Sequence, residues 1–293
     1  MNAFHDLGPL KGPVVLFGGP YSNLAATRAV LDAAATHGIP PGRMICTGDV
    51  VAYCAEAAET VALVRAAGIH VVMGNCEESL GAGAADCGCG FDADSACNRL
   101  SAQWYAHADR ALDDGARAWM RGLPRRLRFT LAGAVVDVIH GGAGAINRFV
   151  FVSTPAAEKA ADLDRLGGDA VVGGHCGLPF ADPLADGRLW LNAGVVGMPA
   201  NDGTPRGWYM VLAARRDGAL DVTFHPLDYD HAGAVRAMAA RGLPAEYARA
   251  LATGLWPNMD VLPAAERAQR GRPLSPAGLT WRPPRPAKIP QIA

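Results

Sequence analysis

The sequence predicts an α/β fold, and three observations carry that expectation. Short runs rich in Val, Ile and Leu alternate with Ala-rich stretches of helical character. The apolar runs are continuous rather than alternating, as in strands buried on both faces. Most of them end on a glycine next to a polar residue, which is how open α/β sheets present ligand-binding groups at the carboxyl ends of their strands.

In chain order, the runs at 14–17, 44–46, 70–73, 135–139, 170–172 and 189–191 read as strands. Helices are expected at 23–36 and 55–67, each ending shortly before a glycine (Gly38, Gly68) suited to a helix C-cap. Residues 79–96 are mostly Gly, Ala and Asp and read as a loop. A helix over 97–120 follows, carrying Trp104, Tyr105 and Trp119. A strand pair is expected at 209–213 and 219–224, then helices at 232–240 and 245–252. From Arg272 the composition shifts to Pro, Arg and Lys. The reading is one domain over 1–270, with a Pro-rich tail at 271–293 that is extended on the surface or on a partner subunit. A homo-oligomer is left open.

Composition removes several classes. Half of the 293 residues are hydrophobic and 19% are charged, the reverse of a disordered chain. No apolar run approaches the roughly 18 residues of a membrane span. Residues 1–12 lack the basic start and apolar core of a signal peptide, so a cytoplasmic protein is expected. A net charge of −1 argues against a nucleic-acid surface. The expected partner is a small-molecule substrate. In a reducing compartment the seven cysteines are thiols or metal ligands rather than a disulfide framework.

Six strand ends carry the chemistry. Gly18-Gly19 leads to Tyr21-Ser22-Asn23, Gly48 to Asp49, Gly74 to Asn75-Cys76-Glu77, and Gly173-Gly174 to His175-Cys176-Gly177. Ile139 meets His140-Gly141-Gly142, and Leu191 meets Asn192-Ala193-Gly194. Asp49, Asn75, His140 and His175 form a coherent ligand set: a carboxylate, an amide oxygen and two imidazoles suit Mn, Fe or Zn. Singly, each is more often a turn, cap or surface residue. Together, in this order, they point to a site.

The order resembles the calcineurin-like metallophosphoesterases. Gly48-Asp49-Val50-Val51, Gly74-Asn75-Cys76-Glu77, His140-Gly141 and Gly174-His175-Cys176-Gly177 look like that family's successive blocks. The stretch 192–199, Asn-Ala-Gly-Val-Val-Gly-Met-Pro, looks like the one that follows in its bacterial branch. The resemblance covers about 14–211. It implies a four-layer α-β-β-α sandwich and a metal-dependent hydrolase of phosphoesters or related anionic small molecules, with a metal-bound water as nucleophile.

The departures fall on one side. The family's first block is Asp-x-His-Gly-Asn. The register set by Asn23 puts Gly19 at the Asp position and Tyr21 at the His position, and Gly177 stands for the last block's second His. By the family pattern these three belong to one metal, while Asp49, Asn75, His140 and His175 complete the other. One divalent ion is therefore expected, with two open if the second subsite is rebuilt. Tyr21 is either a packing or substrate-contacting residue or a phenolate donor to ferric iron.

Cys76 stands where many members carry a catalytic His, and is assigned with Tyr21 to the reacting atoms. Cys176, between the ligand His and the missing one, is expected to face the altered subsite. Cys87, Cys89 and Cys97 occupy the Gly-rich loop, forming with Cys176 an additional metal or thiol site or serving a structural role. Five of the seven thiols then lie at or near the centre. Asn23 and Arg148 are assigned to substrate binding, the arginine because it suits an anionic group. Trp104, Tyr105 and His107 either line the mouth or pack in the core, and 199–203 are expected to form a turn at the rim. Two competing readings remain: a noncatalytic metal-binding module, and an iron enzyme of non-phosphatase chemistry.

Overall fold

The computed structural model describes residues 4–89 and 96–284, the side chains of Ala96 and Cys97 excepted. Its strands are β1 (His5–Pro9), β2 (Val14–Phe17), β3 (Met44–Cys46), β4 (His70–Val71), β5 (Arg126–Leu131), β6 (Ala134–Ile139), β7 (Ala170–Gly173), β8 (Phe180–Pro183), β9 (Leu189–Asn192), β10 (Gly207–Ala214), β11 (Leu220–Leu227) and β12 (Leu279–Trp281). They form two six-stranded sheets, in the orders β1-β5-β6-β7-β9-β8 and β12-β11-β10-β2-β3-β4. The helices are α1 (Leu24–Thr36), α2 (Ala57–Ala67), α3 (Asn75–Ala82), α4 (Ala96–Ala111), α5 (Asp114–Gly122), α6 (Ala156–Leu166), α7 (His231–Ala240), α8 (Ala245–Thr253) and α9 (Ala264–Arg267).

Strand alternation builds the layers. Val14 and Leu16 of β2 face the space between the sheets, where they meet Phe129, Val136, Val172, Leu191 and Met210. Val15 and Phe17 face the other way, onto Ala26 and Val30 of α1 and Val61 and Val64 of α2. On the far side of the first sheet, Val171 and Trp190 pack with Leu163 of α6. The result is a four-layer α-β-β-α sandwich with three apolar cores.

Local chemistry sets the boundaries. The Asn23 side chain accepts from the Ala26 amide and caps α1. Gly68 closes α2 in the left-handed conformation, φ 68°. The helix expected over 97–120 is two helices, because Asp113 accepts from the Ala116 amide at 2.7 Å and starts a new one. The loop expected from residue 79 begins after Ala82, where Gly83 turns left-handed. The tail is not wholly peripheral. β12 pairs antiparallel with β11, and Trp281 is buried and donates to the Gly187 carbonyl. Among the described residues, no helix is long and apolar enough to cross a membrane.

Strands β2, β3 and β4 run parallel, as do β6, β7 and β9. Both triplets end at the same edge of the sandwich. There the sheets are tied by a parallel bridge between Gly18 and Val195, with Gly18 N–H donating to the Gly194 carbonyl at 2.9 Å.

Candidate metal centre

Four loops meet at that edge. His140, after β6, crosses from one sheet to the other: its Nδ1 lies 2.7 Å from the Thr47 carbonyl, after β3. A carbonyl only accepts, so Nδ1 carries the proton and Nε2 is turned inward. Nε2 then lies 3.0 Å from Asn75 Oδ1, 3.1 Å from His175 Nδ1 and 3.3 Å from Asp49 Oδ2. Ligand atoms of Asp49, His140 and His175 all fall within 4.8 Å of one another. Two ring nitrogens and two oxygens thus converge on one point.

Each ligand is held from behind. Asn75 opens α3, and its Nδ2 donates to the Cys87 carbonyl at 2.9 Å, which leaves Oδ1 as the atom facing His140. Asp49 Oδ1 accepts from the Cys76 amide at 3.2 Å, leaving Oδ2 for the centre. Glu77, fully buried, accepts from the amides of Asp49 at 2.8 Å, Gly74 at 3.0 Å and Val51 at 3.3 Å. It locks the Asp49 and Asn75 loops together, a role the sequence reading missed. The signal was present: a Glu at the third helical position after Gly74 is half of a capping box. Asn192 holds the His175 loop by donating to the Gly174 carbonyl at 2.6 Å.

The backbone is bent to reach this arrangement. Asp49 and His175 have φ of 57° and 46°, with Tyr21, Ser22 and Tyr53 also positive. Such conformations cost energy for non-glycine residues and gather at functional sites. Gly48 has no room for a side chain: a Cβ there would lie 2.7 Å from Gly74 N and 2.9 Å from His140 Nδ1.

Electrostatics agree with a cation site. Burial pushes the Asp49 carboxyl up, yet His140, His175 and the Cys76 amide outweigh it and hold Asp49 below its usual range. Burial lowers His140, but Asp49 and the Thr47 carbonyl raise it above its ordinary value. His175 falls to about 3 through burial and the neighbouring His140 charge. Glu77 rises to about 7 through burial and repulsion from Asp49. A carboxylate and three lone-pair atoms within a few ångströms are the donor set of a borderline or hard divalent ion. The residues fit the metal.

The other expected residues divide. Tyr21 lies beside the site, and its ring fills the space next to Gly19: a Cβ on Gly19 would fall inside the Tyr21 ring. The space beside Gly19 is thus taken by a phenol. Burial, then Asp49, pushes the Tyr21 hydroxyl well above its usual value. Cys76 is 1% exposed and does not line the cleft, its sulfur lies 3.6 Å from Asn75 Nδ2, and burial and Asp49 raise its thiol strongly. It is not positioned at the mouth. Cys176 borders the site, its sulfur 3.1 Å from Asn192 Nδ2, and burial raises its thiol to about 12.

Three expectations are corrected. Arg148 does not reach the site, because its guanidinium pairs with Asp162 at 2.9 Å and Glu158 at 2.8 Å. Asn23 is fully buried, capping α1 and donating to the Gly197 carbonyl at 3.0 Å, so it has no face for substrate. Cys87 and Cys89 pair as a disulfide in the structure, their Cα atoms 5.3 Å apart across the Gly88 turn, φ 63°. The Cys97 side chain lies outside the described residues. Cys46, Cys54, Cys76 and Cys176 are free and buried.

Above the ligands opens a cleft of about 740 Å³, counted to its open mouth, with Asp49 and His175 among its walls. Among the described residues, five aromatic side chains line it: Tyr21, Tyr53, Phe149, Tyr247 and Trp256. Trp104, Tyr105 and His107 do not. Trp104 sits in the core, its ring 5.3 Å from Tyr53, while Tyr105 and His107 bond the carbonyls of Ala84 and Ala55. The segment 199–203 does border the rim: Trp256 donates Nε1–H to Pro199 and its amide to Asn201 Oδ1.

The architecture has solved counterparts. A metallophosphoesterase from Sphaerobacter thermophilus superposes with a TM-score of 0.62 at 23% identity, over 83% of this chain and 99% of that one. The chain has the metallophosphoesterase fold. A hypothetical protein from Pyrococcus horikoshii OT3 gives a TM-score of 0.68 at 14% identity, again over 83% and 99%. No family model matches the chain, and no curated protein matches it by sequence. Of the four candidate ligands, Asp49 and His175 line the cleft.

Proposed function

We propose that the protein is a metal-dependent hydrolase of phosphoesters or related anionic small molecules, working with a single divalent ion. The observation that carries this reading is the convergence on His140 Nε2 of Asn75 Oδ1, His175 Nδ1 and Asp49 Oδ2 at 3.0–3.3 Å. Asp49, Asn75, His140 and His175 would hold the ion. When bound, it supplies Lewis acidity and charge neutralisation for an attacked phosphoryl group.

The chain's own residues prepare that site. The Thr47 carbonyl fixes the His140 tautomer, and the Cys87 carbonyl fixes the Asn75 amide. Glu77 holds the two ligand loops in register. The Tyr21 ring beside Gly19 supports one ion rather than two, because it fills the space a first-block carboxylate would need. That filled space equally suits a noncatalytic metal-binding module, and turnover separates the two.

The test is metal analysis of protein purified without chelator, then assay on a generic phosphodiester and phosphomonoester. About one ion per chain, with both metal and hydrolysis lost in Asp49→Ala and His175→Ala, supports the hydrolase. A full complement of metal without hydrolysis of either ester supports the binding module. A folded protein that takes up no metal sinks both.

A further inference from the structure

The cleft above the ligands has a composition that the metal site alone does not call for. Its aromatic residues come from separate segments. Tyr21, Tyr53 and Tyr247 form one contact chain, with ring centroids 4.8 and 4.9 Å apart. Phe149 lies on the His175 ring at 4.1 Å, and Trp256 is pinned to the rim by the Pro199 carbonyl and Asn201. Among the described residues, no lysine or arginine lines this space. The arginine nearest in sequence to Phe149 is Arg148, and it is tied to Asp162 and Glu158.

Two physical consequences follow. Aromatic walls reward a planar, apolar group through edge and offset stacking, and such a group leaves no buried polar atom unpaired. Anionic oxygens need charged or N–H donors when they leave water, and proteins that bind several phosphates supply Arg or Lys for them. Asp49, the only carboxylate in the wall among the described residues, adds negative charge. Beyond the one ion, no lysine or arginine in the described wall offsets the charge of a second or third phosphoryl group.

We infer that the cleft selects esters in which a single phosphoryl centre carries a planar aromatic group, and that it rejects polyphosphates. This rests on the hydrolase reading above, and assigns the class of substrate. The phosphoryl group sits over Asp49 and His175, and the aromatic group lies among Tyr53, Tyr247 and Trp256.

The test is calorimetric titration of the full chain, loaded with Mn, using three non-hydrolysed probes: 1-naphthylphosphonate, inorganic phosphate and the β,γ-methylene analogue of ATP. The naphthyl compound is expected to bind at least about tenfold more tightly than either of the others. Trp256→Leu and Tyr247→Leu, each checked for a cooperative melt, should each weaken it about tenfold and leave inorganic phosphate unchanged. Equal or tighter binding of the ATP analogue overturns the inference, as does unchanged naphthyl affinity in whichever variant folds. Selective naphthyl binding with no ester turned over would overturn the hydrolase reading and leave the cleft's selectivity standing. Preferred hydrolysis of polyphosphates would do the opposite.

Discussion

His140 Nδ1 sits 2.7 Å from the Thr47 carbonyl, so a ring on one sheet is oriented by the backbone of the other. The hydrogen bond spans 93 positions in sequence and is buried. It ties the order of the ligand site to the packing of the two sheets. A ligand whose orientation is fixed in the folded chain binds metal without further ordering, which is why the groups behind metal ligands matter almost as much as the ligands.

Glu77 is the sharpest case. Glu77→Gln keeps the shape but replaces an acceptor oxygen by an amide that donates, so one of the amides of Asp49, Gly74 or Val51 loses its partner. Metal affinity is expected to fall by about 10–100-fold, the range seen when groups behind metal ligands are removed. Asp49→Ala and His175→Ala should fall further. Competition titration against a chelating dye measures all three. An unchanged affinity in the folded Glu77→Gln protein would show that the two loops hold themselves.

The metal-free protein should lose stability as pH rises above about 6.5, and the sign comes from three groups. His140 is raised above its unfolded value of 6.5, so its contribution is present below 6.5 and is lost as pH climbs through the folded value. Glu77, raised from 4.5 to about 7, also favours the protonated folded state, losing its contribution between those values. His175, lowered from 6.5 to about 3, acts in the opposite direction, adding stability as pH rises to 6.5. Between 4.5 and 6.5 the last two oppose each other, and above 6.5 only the falling contributions remain. A bound ion needs His140 deprotonated, so the rise in Tm on adding Mn should grow with pH. Thermal melts from pH 5 to 8.5, with chelator and with Mn, check both slopes. A metal-free Tm that climbs through pH 7–8 would contradict the assignment.

The candidate ligand positions stood out because a glycine at a strand end followed by a polar residue is a local pattern, repeated at Asp49, Asn75 and His175. The two inner triplets of strands were legible for the same reason: their runs are short and mostly apolar. What the sequence hid depends on distant partners. β5 carries Arg126 and Arg128, which look like solvent-facing charges until both are seen to bond the fully buried Asp137 of β6. β12 lies in a Pro-rich segment, and only its pairing with β11 makes it a strand. The cleft's Phe149, Tyr247 and Trp256 come from loops and a helix that no motif links. Asn23 and Arg148 misled because a motif position and a charge say nothing about which neighbour already holds the side chain.

The Gly19–Tyr21 pair should behave as one unit. Gly19→Asp places a Cβ inside the Tyr21 ring and puts an L-residue at φ 42°, so the single change should cost at least about 2 kcal/mol from overpacking and backbone strain together. Adding Tyr21→Ala removes the overlap but not the strain, so the double variant should regain part of that loss relative to the sum of the two singles. Urea unfolding of the four proteins in a cycle measures the coupling. Strict additivity would mean the ring moves aside freely and does not fill the subsite.

Arg148 separates the motif-based expectation from the geometric one. Its guanidinium is held by Asp162 and Glu158 at 2.8–2.9 Å, on the α6 side of the loop and outside the aromatic cleft. Arg148→Met keeps much of the apolar stem and removes both ion pairs. One of them, with Glu158, is substantially exposed and contributes little, about 0–1 kcal/mol. The other leaves Asp162 with a lost partner in a largely buried position, so a modest drop in Tm is expected. The KM for an aryl phosphoester should stay within about twofold of the parent, since uniform substrate binding through an arginine would instead raise KM with kcat unchanged. A tenfold rise in KM alone would return Arg148 to the substrate and require the ion pairs to open during binding.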